Sequence, residues 1–123
     1  MPITFEYNKE EDILYEKIFD FVTIDEVIES FESRKRIPGY YPSVKKLCDC
    51  TKIKFDISNE ELKKLVDYVI SHSEYFGSTR WAIVTADPLA MAFARIYAIM
   101  TQDSPIKTKV FSSAEEALKW LKS

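Results

Sequence analysis

Three residues of this chain have the types and spacing for acid–base chemistry. Asp49, Thr51 and Asp87 are expected at the carboxyl ends of neighbouring parallel strands, the edge at which open α/β sheets take ligands. Two carboxylates there could divide acid and base roles if one pKa were raised. A reaction also needs a nucleophile, an oxyanion donor or a metal. The only histidine, His72, falls late on a helix and away from that edge. The simpler reading is that Asp87 caps a helix and Asp49 satisfies turn backbone.

Other residues point to binding. Ser58 opens a helix, where a phosphate would meet free N–H groups and the positive end of the helix dipole. It is the phospho-acceptor candidate, although Glu60 and Glu61 would oppose the added charge and a plain N-cap explains the residue equally. Arg95 stands on an otherwise apolar helix beside Tyr97. It either binds an anion in a groove or snorkels at the surface. The loop from Arg34 to Ser43 combines Arg34, Lys35 and Arg36 with Tyr40 and Tyr41. Such a loop can stack on bases or rest on anionic lipid, or it can be solvated while its tyrosines cover the edge of the core.

Charge and composition narrow the choice. The net charge is −3, but its distribution is uneven. Residues 1–33 hold ten acids and two bases; residues 34–54 hold seven bases and one acid. The overall acidity argues against sequence-independent nucleic-acid binding. The two glycines, Gly39 and Gly77, cannot build a phosphate-cradling loop. Cys48 and Cys50 lie two apart, on one face of an extended strand, a poor geometry for a disulfide. They read as reduced, packed thiols. No metal ligand set and no cofactor motif is expected. No apolar run reaches the ~20 residues that span a bilayer, and the first residues lack the pattern of a secretory signal. A cytoplasmic location is the expectation.

These residues must be positioned by one domain. At 123 residues and 46% hydrophobic content, the chain fits a single core. Ile3–Tyr7 and Asp12–Phe19 read as a hairpin around Asn8–Glu11. Thr23 with Glu26, Ser58 with Glu61, and Ser113 with Glu116 have capping-box spacing and open three helices. Val44–Thr51 and Lys107–Phe111 read as strands, and Thr79–Ala86 as a strand buried on both faces. Asp87 caps a fourth helix, with Pro88 at its first position. That helix, Leu89–Met100, is apolar almost all round, which predicts deep packing. The order β-β-α-β-α-β-α-β-α predicts an α/β fold: a mixed, mostly parallel sheet of about five strands with four helices, in one domain over 1–123.

Three segments together carry a resemblance. Leu47-Cys48-Asp49-Cys50-Thr51 looks like a strand ending near an aspartate. Trp81 to Pro88, followed by Ala92-Phe93-Ala94-Arg95, looks like the next strand and its small-residue helix. Val110 to Leu121 looks like a closing strand and helix. They resemble the STAS-like domains (sulfate transporter and anti-sigma-factor antagonist), in the branch of small stand-alone bacterial proteins. The resemblance implies a non-catalytic regulatory or interaction module that docks on a partner protein, with a homodimer as one form. Some members are switched by phosphorylation at the helix start that Ser58 occupies here, but the usual Asp-Ser-Ser-Gly type of sequence is missing. Kinship within the branch also implies a second expectation. This is a protein that binds a lipid or small amphiphile in a groove between the Leu89–Met100 helix and the basic aromatic loop, and that touches anionic membrane surfaces. No enzyme activity is expected on either reading.

Overall fold

The computed structural model describes residues 2–123. Five strands form one sheet in the order β1-β2-β3-β4-β5. They are β1 (Ile3–Asn8), β2 (Ile13–Asp20), β3 (Lys45–Ile53), β4 (Thr79–Val84) and β5 (Ile106–Phe111). β1 and β2 are an antiparallel hairpin, whereas β2 through β5 run parallel. The helices are α1 (Ile24–Ser33), α2 (Asn59–Ser71), the single turn α3 (Ser73–Phe76), α4 (Pro88–Met100) and α5 (Ala114–Lys122). The mixed α/β sheet predicted from the sequence is present. The one-turn α3 is an addition, placed where the sequence predicts only a break before Gly77.

Local chemistry sets the helix starts. Thr23 accepts from the Glu26 N–H while Glu26 accepts from the Thr23 N–H, and Ser58 and Glu61 repeat the exchange. Ser113 accepts from the Glu116 N–H, the forward half of a box. Asp87 accepts from the Ala90 N–H, with Pro88 beginning α4. Each such cap satisfies an otherwise orphaned donor and contributes about 1 kcal/mol.

The strand order decides where the helices go. Parallel neighbours joined in sequence need crossovers, and crossovers are right-handed almost without exception. Side-by-side strands β2 to β5 therefore send α1, α2 and α4 to the same face. α5 follows the last strand, has no further strand to reach, and packs on the other face. There Ala117 and Leu121 meet Ile13, Leu47, Ala82 and Val84, all buried. Polar ties fix α5 as well: Lys45 Nζ donates to the Leu121 carbonyl, and Arg80 Nη1 donates to the Trp120 carbonyl at 2.7 Å.

On the opposite face Phe31, Val66, Phe76, Trp81, Tyr97 and Ile106 form an aromatic-rich cluster. Its packing is closed at the amino ends of the parallel strands by the segment from Arg34 to Val44. Gly39 sits there at φ +87°, and a Cβ at that position would lie 2.8 Å from the Tyr7 ring. Both the left-handed backbone and the close approach require glycine.

α4 departs from its predicted deep packing. Ala90 and Tyr97 are buried, but Leu89, Ile96, Ile99 and Met100 are exposed. A helix at the end of a three-helix layer has a neighbour on only one side, so half its apolar circumference stays uncovered.

Candidate functional site

The structural feature that stands apart is a partly open cavity of about 130 Å³ between the sheet and helices α1, α2 and α4. Strand alternation builds its floor. Ile18 of β2, Cys48 and Cys50 of β3, and Trp81 and Ile83 of β4 project to the same face. Val27 and Phe31 of α1, Leu62 and Leu65 of α2, and Phe93 and Ala94 of α4 form the walls. Ile53, Phe55 and Ile57, all half-buried, belong to the stretch running from β3 into α2.

The polar groups in this apolar surround are unusual. Glu16 lines the cavity although only 3% exposed, and so does Lys46 at 6%. Behind them Arg34, 2% exposed, donates from Nη2 to Glu16 Oε2 at 3.0 Å. Lys46 Nζ stands 3.5 Å from Glu16 Oε1. One carboxylate thus serves two cations. The aromatic rings supply further compensation: Lys46 Nζ is 4.1 Å from the Trp81 centroid, and the Arg34 guanidinium is 4.2 Å from that of Phe31. Arg34 Nε is buried with no hydrogen-bond partner, as is Thr85 Oγ1 on the cavity wall.

The titration directions follow. Burial alone would raise the Glu16 carboxyl, but the charges of Lys46 and Arg34, with hydrogen bonds from Cys48 and Lys46, hold the pKa below its ordinary value. Burial lowers the Lys46 ammonium, and Glu16 does not fully offset it because Arg34 repels. The Cys48 thiol is held up by its contact with Cys50 and by burial. The two sulfurs are 3.5 Å apart on the predicted common face, and both thiols are free. Burial raises the Tyr97 phenol above its usual 10.0.

Of the acid–base candidates singled out by sequence, Asp49 and Thr51 meet each other but not Asp87. Asp49 Oδ1 accepts from the Thr51 N–H at 2.9 Å and from the Thr51 hydroxyl at 2.6 Å. Both lie on the pleat face of Leu47, which is the α5 side, away from the cavity. Asp87 is engaged as the α4 cap. Ser58 is exposed and occupied in its capping box. Tyr97 lines the cavity, but Arg95, two residues earlier on the helix, faces outward onto a shallow surface depression with Ile99, Thr108 and Lys109.

The basic aromatic loop is not the solvated unit that its composition suggests. Arg34 is in the core, and Tyr41 donates to Asp12 while Tyr40 is half-buried. Lys35 pairs with Glu32, leaving Arg36 exposed. No groove joins this loop to α4 among the described cavities. α4 runs back from the carboxyl ends toward the amino ends, where the loop lies, and there Tyr97 packs into the aromatic-rich cluster with Phe31.

Glu16 and Lys46 were not singled out by sequence reasoning. The available signal was their phase: Glu16 alternates with Leu14 and Ile18, and Lys46 with Cys48, so each puts a charge on an apolar strand face. A charge in that register is either an edge device or a buried partner, and only the tertiary contacts distinguish the two.

This architecture defines the class, an α/β domain of SpoIIAA-like fold. It is similar to the crystal structure of an uncharacterized protein from the DUF3478 family with a SpoIIAA-like fold, from Shewanella loihica PV-4. The TM-score is 0.62 and the identity 21%, over 97% of this chain and 91% of that one. At that identity the likeness establishes the fold alone, the fold that the STAS-like resemblance implies. The chain itself belongs to the family described as domain of unknown function DUF7793, whose model matches residues 7–123. No curated protein matches it.

Proposed function

We propose that the domain is a non-catalytic binding module whose ligand is a small apolar or amphiphilic molecule held in the cavity under α1, α2 and α4. The carrying observation is the cavity itself: a partly open space of about 130 Å³ lined almost wholly by apolar side chains, in a protein interior of the kind that is ordinarily close-packed. Unfilled space costs stability through lost contacts, so a ligand that enters recovers them. The acid–base groups nearby are tied to one another and no reacting constellation is assembled around them, which favours binding over bond-making. Regulation on this reading is a consequence of occupancy.

Titration with hexan-1-ol, followed by amide chemical shifts and by thermal unfolding, tests the reading. Shifts should concentrate at Ile53, Ile83, Thr85 and Phe93, and the melting temperature should rise with ligand concentration. Unchanged spectra and melting at millimolar alcohol would end it.

A second reading is favoured by the outer face of α4. Leu89, Ile96, Ile99 and Met100 are exposed together, and Arg95, Lys107 and Lys109 are exposed nearby. Apolar side chains bordered by cations suit an anionic bilayer surface. No helix among the described residues is long and apolar enough to cross a membrane, so the contact is peripheral. Flotation with vesicles of anionic and of zwitterionic lipid at low salt should recover the protein only with the former. Ile96→Ser with Ile99→Ser should abolish recovery while leaving the fold intact. Equal recovery on both vesicle types, or a dimer that dissociates in the double variant, assigns the face to something else.

A further inference from the structure

The cavity's charge balance specifies its ligand more closely than its shape does. Glu16 is the counter-ion of two buried cations, Arg34 and Lys46. The group therefore carries one surplus positive charge in a place from which water is nearly excluded. Buried charges are ordinarily paired. Arg34 holds the shorter contact with Glu16, 3.0 Å, and lies behind the cavity wall; Lys46 holds the longer, 3.5 Å, and lines the cavity. An ammonium has three donors; Lys46 gives only one of them to an oxygen, in the long contact with Glu16, and otherwise lies over the rings of Trp81 and Phe31. It is the cation with capacity to spare, and it lines the cavity together with Glu16.

We propose that the ligand is a small monoanionic amphiphile, a carboxylate whose head pairs with Lys46 and whose hydrocarbon lies along Ile18, Ile53, Ile83 and Phe93. This rests on the cavity being the binding site, as argued above. A surplus of one charge matches a carboxylate better than a phosphate monoester, which brings about −1.5 to −2 charges at neutral pH. Size gives the second limit. An apolar cavity of roughly 150 Å³ accommodates benzene, so about 130 Å³ suits a body of about six carbons, with a longer tail emerging through the open side.

Calorimetric or NMR titration of the full chain at neutral pH with hexanoate, hexan-1-ol and hexylammonium tests the assignment. The three share one tail, so the head alone differs. Hexanoate should bind about tenfold tighter than the alcohol, a difference of about 1.4 kcal/mol, and hexylammonium should bind more weakly than either. In Lys46→Met the preference for hexanoate should vanish while hexan-1-ol still binds. If the alcohol binds as tightly as hexanoate, or if the preference survives in Lys46→Met, the carboxylate assignment is wrong and the cavity remains a neutral apolar site. If none of the three binds, the cavity reading itself falls and this one with it. Should Lys46→Met fail to fold, the wild-type series of three heads still decides the question.

Discussion

The two faces of the sheet are packed by opposite rules. Beneath α5, Leu47, Ala82, Val84, Ala117 and Leu121 close on one another, and the cations of that face, Lys45 and Arg80, are only half-buried and bonded to α5 backbone carbonyls. Beneath α1, α2 and α4, a carboxylate and two cations are buried beside a cavity. One face buries an apolar cluster; the other buries an ion cluster beside a cavity. Under the proposed binding function the first face supplies contacts that hold the fold, and the second supplies the space and charge that a ligand would meet.

The largest expected effect tests the ionic face. Glu16→Ala leaves Arg34 and Lys46 buried without their shared counter-ion and should cost about 4 kcal/mol in urea unfolding. A cost below about 1 kcal/mol would mean that the cations relax into solvent and the burial is not enforced. Next comes a direct contrast between faces. Leu121→Ala, in the filled layer, should cost about 3 kcal/mol. Ile53→Ala, beside the cavity and half-buried, should cost about 1 kcal/mol because its neighbours already lack partners on one side. The same variant should admit a bulkier alcohol than hexan-1-ol. Equal costs would show that the two faces are packed alike.

The smallest effect is a pH dependence. The folded-state pKa of Glu16 lies below its ordinary 4.5, so between those values the unfolded chain binds more protons. Stability from this group is present above 4.5 and is lost as pH falls through the lower, folded value. Glu16→Gln should flatten that part of the acid-unfolding profile. For Lys46 the folded pKa is also lowered, from 10.5. Its contribution is therefore a cost at neutral pH that is relieved only as pH rises toward 10.5. An anion paired with Lys46 should reduce that cost.

Much of the fold was legible because its signals are local. Thr23, Ser58, Ser113 and Asp87 announce helix starts through side-chain to backbone bonds within three residues, and all four cap their helices, Ser113 with only the forward half of its expected box. Thr79–Ala86 reads as a strand because its centre, Trp81–Val84, is continuously apolar, and β4, Thr79–Val84, lies there between β3 and β5. Of the cavity's lining, sequence reasoning names only Tyr97 as a site candidate, and it places Arg34 in an exposed loop. The loop from Arg34 to Tyr41 was misread because composition cannot tell a solvated arginine from one drawn into a core by a distant glutamate. The reading of α4 as deeply packed failed similarly, since apolarity all round a helix says what it could bury and not what is available to cover it.

The amino-acid sequence by itself determined the element order, the caps, the hairpin and the shared face of Cys48 and Cys50, because each depends on neighbours a few residues apart. Only the tertiary structure decided that Glu16, Arg34 and Lys46 meet, that a cavity lies beside them, and that α4 keeps an uncovered side. Those outcomes depend on strand order and on the hand of the crossovers. Glu16 and Lys46 lie 30 positions apart in the chain and the cavity lining runs from Glu16 to Tyr97, 81 positions, and no local pattern encodes such distances.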